Sequence, residues 1–456
     1  MSSTEPRTAL LVATPSPVPT STPTPVPIES AQPSLSPAPQ VTPVATSEVT
    51  LIVDEDIPLV DVAPALTDEP ETVDQPALDA GDDLTLADVA PAAPDEPVPE
   101  GQPALGEKTT AKLQKILDNQ HANKRVAGLQ VAVRLADGQT WLGPAGNAEF
   151  SPDRALDDDD QMAIASITKT FISALILQLV DEGKIDLDAS FGSYFRDAPR
   201  KDKVTIRQLL SHKSGIYNFW ANPRYGEITK AWWQNTNAGG DKSRSKRWTY
   251  DEMMELVKAG PFKPGEDYQY SNTNYLILGK VAEAVEGKPL HKMLNQRFIK
   301  PLGLEDTIYQ PAQKPRNDAA HGHWDWGGGW TDHTQGSRYV PFMAAASIAD
   351  AAGAMASTAK DLSIWASALY GGEVLSDEML AEMLTFERPG FYGLGTYPAN
   401  FVGNRGIGHR GGIRGYESAM FYFPQDGVTV VLVSNQGNWS TDVPMNKLVK
   451  TVLGAN

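Results

Sequence analysis

Three Ser-x-x-Lys pairs stand in the sequence: Ser166/Lys169, Ser243/Lys246 and Ser357/Lys360. A serine hydroxyl is a poor nucleophile until a neighbouring base takes its proton. On a helix, a lysine three residues on shares the serine's face. Burial can lower its pKa until it serves as that base. Context separates the three pairs. Ser243 lies in the polar run Lys242–Arg247, which reads as exposed loop. Ser357 precedes Thr358 and Asp361, which read as an N-cap and its capping box. Ser166 opens a predicted helix over 166–182 whose body, Phe171–Val180, is apolar nearly all round. Such a helix is buried on most sides, and Gly183 ends it. A serine and a lysine at its mouth have the desolvated setting the chemistry needs. The same two residues also fit an ordinary N-cap with Lys169 in solvent.

Two further groups could serve the same reaction. Tyr270-Ser271-Asn272 follows the turn Pro264-Gly265-Glu266. In extended chain, residues i and i+2 point the same way, so the Tyr270 hydroxyl and the Asn272 amide can face one cavity. The alternative is that Ser271 or Asn272 caps a helix predicted over 273–286. His409-Arg410-Gly411-Gly412 precedes a predicted strand over 415–423. Glycines let a backbone approach a ligand closely, and an exposed N–H there can be half of an oxyanion hole. The alternative is a glycine-rich turn between strands.

Other polar clusters carry less. His321, His323, Asp325, Asp332 and His333 lie among Trp324, Trp326 and Trp330. The spacing offers no convincing third metal ligand, and a Gly/Trp-rich loop lining a cleft is the expected reading. Trp220, Trp232 and Trp233 read as cleft wall or core.

The elements that must position these residues follow from periodicity. A helix is predicted over 107–124. A hairpin follows, with strands at 128–134 and 140–142 and Asp137-Gly138 at its turn. Strands are predicted over 415–423 and 428–434, and a last helix over 443–453. Between these ends the periodic segments read as helices: 166–182, 205–211, 250–258, 273–286, 289–299, 358–369 and 376–384. Strands at both ends with helices between imply one antiparallel sheet closed by the two ends, with a helical insertion.

The first 105 residues differ in kind. They hold 20 of the 35 prolines, and 18 acidic residues against one basic, Arg7, which is nearly all of the chain's net −18. Such a composition cannot bury enough apolar surface to offset ordering. It is expected to be a disordered tether, and residues 106–456 the folded domain. The near-neutral remainder gives no electrostatic case for nucleic acid. With no cysteine, disulfides and thiol chemistry are excluded. No uninterrupted apolar run has the length of a membrane span. Met1–Ala13 lacks a basic start and a long apolar core. The expectation is a chain that is not exported or whose true start lies upstream.

The order of the three groups resembles the penicillin-recognising serine enzymes, and most closely the serine-type D-Ala-D-Ala carboxypeptidases and their class C β-lactamase-like relatives. Leu177–Asp188, Thr205–Gly215, Tyr270–Tyr275, Ala352–Thr358 with Asp361-Leu362, and Tyr392–Gly395 are similar to stretches of that family. The resemblance spans about residues 107–454. It implies an α/β (α+β) fold, β-lactamase/transpeptidase-like: an antiparallel sheet flanked by helices plus an all-helical subdomain, with the site between them. It implies Ser166 as nucleophile, Lys169 as proton acceptor, Tyr270 as proton shuttle and Asn272 as the residue orienting Lys169 and the substrate amide. It implies His409 as a polar or positive edge, and the N–H groups of Ser166 and Gly412 as the oxyanion hole beside Gly411. Two departures touch the substrate. Arg410 stands where Thr or Ser is usual, and Thr396-Tyr397-Pro398 where an arginine follows Gly-Leu-Gly. Arg405, Arg410 or Arg414 could grip a substrate carboxylate instead.

The implied function is D-Ala-D-Ala carboxypeptidase, with β-lactamase, carboxylesterase, D-amino-acid peptidase and a non-catalytic cell-wall sensor as rivals. The implied partners are a peptidoglycan stem peptide or β-lactam. No cofactor is implied. A monomer outside the cytoplasm, associated with the cell wall or envelope, is expected.

Overall fold

The computed structural model describes residues 105–122, 126–234, 242–316, 319–325, 329–388 and 391–454. The tether expected over 1–105 lies outside these, save Leu105. So does Trp326, and so does the side chain of Trp233.

Seven strands form the main sheet. They are β1 (Gly128–Arg134), β2 (Thr140–Phe150), β3 (Asp153–Ala155), β4 (Tyr397–Phe401), β5 (Asn404–Ile413), β6 (Tyr416–Phe423) and β7 (Val428–Ser434). Their spatial order is β3-β2-β1-β7-β6-β5-β4, and every pairing is antiparallel. β1 pairs with β7 from Leu129↔Ser434 to Arg134↔Thr429, so the two ends of the domain close the sheet.

Both faces of this sheet are covered. Leu129, Val131, Val133, Phe421, Val430 and Leu432 pack with Leu113 and Leu117 of helix α1 (Glu107–Ala122) and with Met445 and Leu448 of the last helix (Asp442–Leu453). Ala132, Ile407, Met420, Val431 and Val433 face the larger core, which holds the helical insertion. Two-sided burial is why β7 reads Val-Thr-Val-Val-Leu-Val-Ser with every residue buried.

In the insertion, helix α2 (Thr168–Asp181) carries ten buried residues in its first ten. Phe171 stacks on Trp365 at 3.8 Å between ring centroids, within 8° of parallel. Beside it lie helix α3 (Asn272–Glu286), helix α4 (Met343–Gly353) and helix α5 (Ala359–Tyr370). Thr358 caps α5 by accepting from the Asp361 N–H. The Asp361 carboxylate does other work than a capping box. It accepts from the Asp306 N–H and the Thr307 hydroxyl, at 2.8 and 2.9 Å.

Several expectations shift. The helix predicted over 250–258 ends at Met254. That over 289–299 becomes Leu290–Leu294 followed by a π-turn over Asn295–Ile299. Helices Pro223–Gln234 and Met343–Gly353 were not predicted. The largest change is at β5. The segment placed before the predicted strand 415–423, with a glycine-rich turn as the alternative, is itself part of a ten-residue strand, paired with β6 from Ile407↔Tyr422 to Ile413↔Tyr416. Among the described residues, no helix is long and apolar enough to cross a membrane.

Candidate active site

Ser166 lies in a 3₁₀ turn, Ala165–Ile167, that runs into α2. Ala165 just before it has φ of 44°, in the left-handed region that non-glycine residues rarely occupy. Surrounding bonds hold the turn there. The Ile164 N–H donates to the Met355 carbonyl, the Met355 N–H donates to the Thr168 hydroxyl, and the Ser418 hydroxyl donates to the Ile164 carbonyl. Strain kept by such over-determination is common where a nucleophile must be presented.

Lys169 is wholly buried. Its Nζ lies 2.9 Å from Ser166 Oγ, 2.9 Å from Asn272 Oδ1 and 2.6 Å from the carbonyl of Ala352. No carboxylate is among these partners. Burial therefore holds its pKa well below the ordinary lysine value. A neutral amine has two N–H groups and one lone pair. The carbonyl oxygens of Asn272 and Ala352 can only accept, so they take the two N–H groups. The lone pair is left for the Ser166 hydroxyl.

Asn272 begins α3, and its own N–H donates to Asn218 Oδ1. Ser271, the residue at the cap position, makes no side-chain capping bond. Helix capping is thus not what the Tyr-x-Asn segment is for. Tyr270 is partly buried and lies against Lys169, with Nζ 4.9 Å from its ring centroid. Its hydroxyl is near enough to Ser166 for that group to favour the phenolate, yet it makes no hydrogen bond of normal geometry. Burial outweighs the serine and pushes its pKa well above the usual tyrosine value.

Strand β5 supplies the other wall. β4 stops pairing at Tyr397↔Gly408, so β5 runs on past it with a free edge. The Arg410 N–H points to that side, donating to the Tyr397 hydroxyl at 3.2 Å. By the two-residue period of a strand, the Gly412 N–H points the same way, onto the open edge. Gly411 lies between them, against the nucleophile. A Cβ there would sit 2.3 Å from the Ile164 carbonyl and 2.8 Å from the Ser166 nitrogen. A side chain at this position would force β5 away from the Ser166 turn.

His409 and Arg410 differ from expectation. His409 is buried and its pKa is pushed down to about 3, first by burial and then by Lys169. It is neutral: Nδ1–H donates to the Arg410 carbonyl, and Nε2 accepts from the Tyr392 hydroxyl at 2.9 Å. It offers a polar edge 6.3 Å from Tyr270, ring to ring, and no positive charge. Arg410 was expected to bind substrate. Its side chain turns to the opposite face, onto Asp442 at 2.5 Å and over the rings of Phe401 and Phe421. Alternation along the strand is the reason: with Gly411 facing Ser166, Arg410 must face away. Thr396 is also committed, to Tyr370 and the Gly408 carbonyl.

The other two Ser-x-x-Lys pairs are not assembled. Lys246 is exposed and paired with Glu252 at 2.8 Å, while Lys360 is exposed and Ser357 bonds Thr307. The histidine cluster forms a small hairpin in which His321 pairs with Asp332 at 2.8 Å. Among the described residues, only the surface trio Asp157, Asp158 and Asp159 gathers as a metal could require, and exposed acids commonly do so without one.

Three contributors were not singled out from the sequence: the Ala352 carbonyl, Tyr392 and His212. All fall within the family-like stretches. The signal was therefore present in the text, but side-chain type alone could not reveal a carbonyl acceptor or a buried ring.

Residues 113–453 match the beta-lactamase family, and the chain belongs to it. Among solved structures it is similar to a D-stereospecific amidohydrolase from a Streptomyces species, at 29% identity and a TM-score of 0.64, covering 76% of this chain and 99% of that one. It is similar to the D-amino acid amidase of Ochrobactrum anthropi SV3, solved with L-phenylalanine amide, at 26% identity and a TM-score of 0.65, covering 76% and 99%. An octameric penicillin-binding protein homologue from Pyrococcus abyssi shares the fold at 24% identity and a TM-score of 0.62, covering 76% and 78%. Among curated proteins, it is 35% identical over 163 residues to a "Putative D-alanyl-D-alanine carboxypeptidase" of Salmonella schwarzengrund (strain CVM19633). That match spans only 33% of this chain and 34% of the relative. Family and site together define a serine hydrolase.

Proposed function

We propose that the chain hydrolyses small D-aminoacyl amides or peptides through an acyl-enzyme on Ser166. The observation that carries the reading is the buried Lys169, its two N–H groups taken by carbonyl oxygens and its lone pair turned to Ser166 Oγ.

In this reading Lys169 takes the Ser166 proton as Oγ attacks the acyl carbon. The oxyanion forms between the N–H groups of Ser166 and Gly412. Low local dielectric makes such donors worth several kcal/mol, roughly 10²–10³ in rate. Tyr270 passes the proton from Lys169 to the leaving amine. Asn272 holds Lys169 and the substrate amide. Water then attacks the ester by the reverse route, and Ser166 is regenerated.

The choice of amide over carboxypeptidase substrate rests on Arg410. Cutting a C-terminal D-alanine calls for a cation to hold the terminal carboxylate, and Arg410, one of the three arginines that could supply it, is paired with Asp442 across the sheet. Similarity to D-amino acid amidases over nearly their whole length supports the same choice. D-Ala-D-Ala carboxypeptidase is the second reading, favoured by the curated relatives. Penicillin binding and an extracytoplasmic, wall-associated setting belong with it, the latter supported by the Pro/Thr/Ser-rich first 105 residues. A monomer is proposed because one chain supplies every site residue.

The test is turnover of D-phenylalanine amide, L-phenylalanine amide and diacetyl-Lys-D-Ala-D-Ala by the full chain, with ammonia or D-alanine as readout. Ammonia from the D-amide, absent in Ser166→Ala, is the expected result. D-alanine release without amide turnover would favour the second reading. Neither activity, with no Ser166 adduct after benzylpenicillin by intact mass, would end the hydrolase proposal.

A further inference from the structure

The Tyr270 hydroxyl makes no hydrogen bond of normal geometry in the resting site, so its position must be set from behind. His212 is what lies behind it. This residue follows the short helix Ile206–Leu210, is wholly buried, and has φ of 58°. Its carbonyl accepts the Gln269 N–H at 3.1 Å, and its Nδ1 accepts the Ser271 N–H at 3.1 Å. One residue thus holds the backbone N–H groups of the residues before and after Tyr270. Its ring centroid lies 4.2 Å from that of Tyr270 and 4.7 Å from that of Tyr392. The Asn274 amide, 3.3 Å from Nδ1, ties the same ring to the start of α3.

The arrangement is costly. Because Nδ1 accepts, the ring proton resides on Nε2, and that nitrogen is buried without a hydrogen-bond partner. An unsatisfied buried donor costs roughly 1–3 kcal/mol, and a left-handed non-glycine backbone adds to it. An aliphatic side chain would fill the space without the orphaned N–H. What it would lack is the acceptor for Ser271.

We propose that His212 is a positioning residue that sets Tyr270 against Ser166 by clamping the backbone N–H groups of the two residues on either side of it. This rests on the reading of Tyr270 as proton shuttle to the leaving group. Proton delivery matters for an amine leaving group and little for p-nitrophenolate, so the two leaving groups separate positioning from a general loss of structure.

The experiment compares a p-nitroanilide and a p-nitrophenyl ester of one D-phenylalanyl group. The full chain is assayed as wild type, His212→Phe, His212→Ala, His212→Asn and Tyr270→Phe, each checked by thermal melting. Phe keeps a ring without the acceptor. Asn keeps an acceptor and tolerates positive φ. His212→Phe and His212→Ala should lose about 30–100-fold in kcat on the anilide and under about 5-fold on the ester, with KM within about 3-fold, as befits a mispositioned acid. His212→Asn should recover to within about 10-fold of wild type on the anilide. Equal losses on both substrates, or an Asn variant no better than Phe, would overturn the proposal. If Phe does not fold, Ala carries the comparison. A Tyr270→Phe chain with Ser166-dependent turnover but no anilide-specific loss would overturn the shuttle reading, and this clamp with it.

Discussion

Lys169 and His409 are two buried bases in one site, and their environments give them different pH behaviour. As the proposed base Lys169 must be neutral, and burial holds its pKa well below the lysine range. As pH falls through that lowered value the amine is protonated and acylation is lost, so kcat/KM should fall on the acid side. His409, pushed down to about 3, is already neutral at any pH where the protein would be assayed. It should therefore contribute no limb near the ordinary histidine value. Measured pH profiles should show His409→Gln with a lower plateau and an unmoved acid limb. Lys169→Ala should lose about 10³-fold or more in acylation at all pH values, since it removes the base itself. A shifted acid limb in His409→Gln would contradict the assignment. At this scale the family resemblance singled out Ser166, Lys169, Tyr270 and Asn272, and the structure brings the four together. Arg410 could not, because its direction depends on strand phase, and the strand was not foreseen.

Strand β5 shows why. Four glycines in Asn404–Ile413 argue against a strand by propensity, and no strand was predicted there. Tertiary contact overrides propensity there: β6 and the nucleophile turn leave no room for side chains at Gly411. The helices around the site were easier, since α2 announces its burial with an unbroken apolar run. Gly411→Ala is the sharp test of the element. The new methyl would meet the Ile164 carbonyl and the Ser166 nitrogen inside contact distance, so β5 and the turn must part. In the proposed mechanism, parting them displaces an oxyanion donor, and acylation should drop about 10²-fold or more, the scale of losing one donor. Near-wild-type burst kinetics in a folded Gly411→Ala chain would show that the two N–H groups do not act together.

At the scale of the whole domain, stability and pH are linked through two desolvated acids, the partly exposed Asp350 and the buried Asp361. Asp350 and Asp361 are both pushed up to about 6 by burial. Unfolded, each would titrate near 3.8. The native state thus binds these protons more tightly, a contribution fully present below about pH 4 and lost as pH rises through about 6. Asp350→Asn keeps an acceptor for the Tyr309 hydroxyl and cannot ionise. Its melting temperature should gain on wild type as pH rises from about 4.5 to 7. A constant difference would show that Asp350 is already charged at the lower pH. The sheet itself was legible from strands at both ends of the sequence, but the pairing of β1 with β7 has a consequence in time. About 300 residues separate these partners. At roughly 5–20 residues per second, β1 leaves the ribosome some 15–60 s before β7 exists to cover it. Until then its hydrogen-bonding edge is open to any other strand. The sheet stays incomplete until β7 has been made, so its vulnerable interval is set by translation rather than by the intrinsic rate of folding.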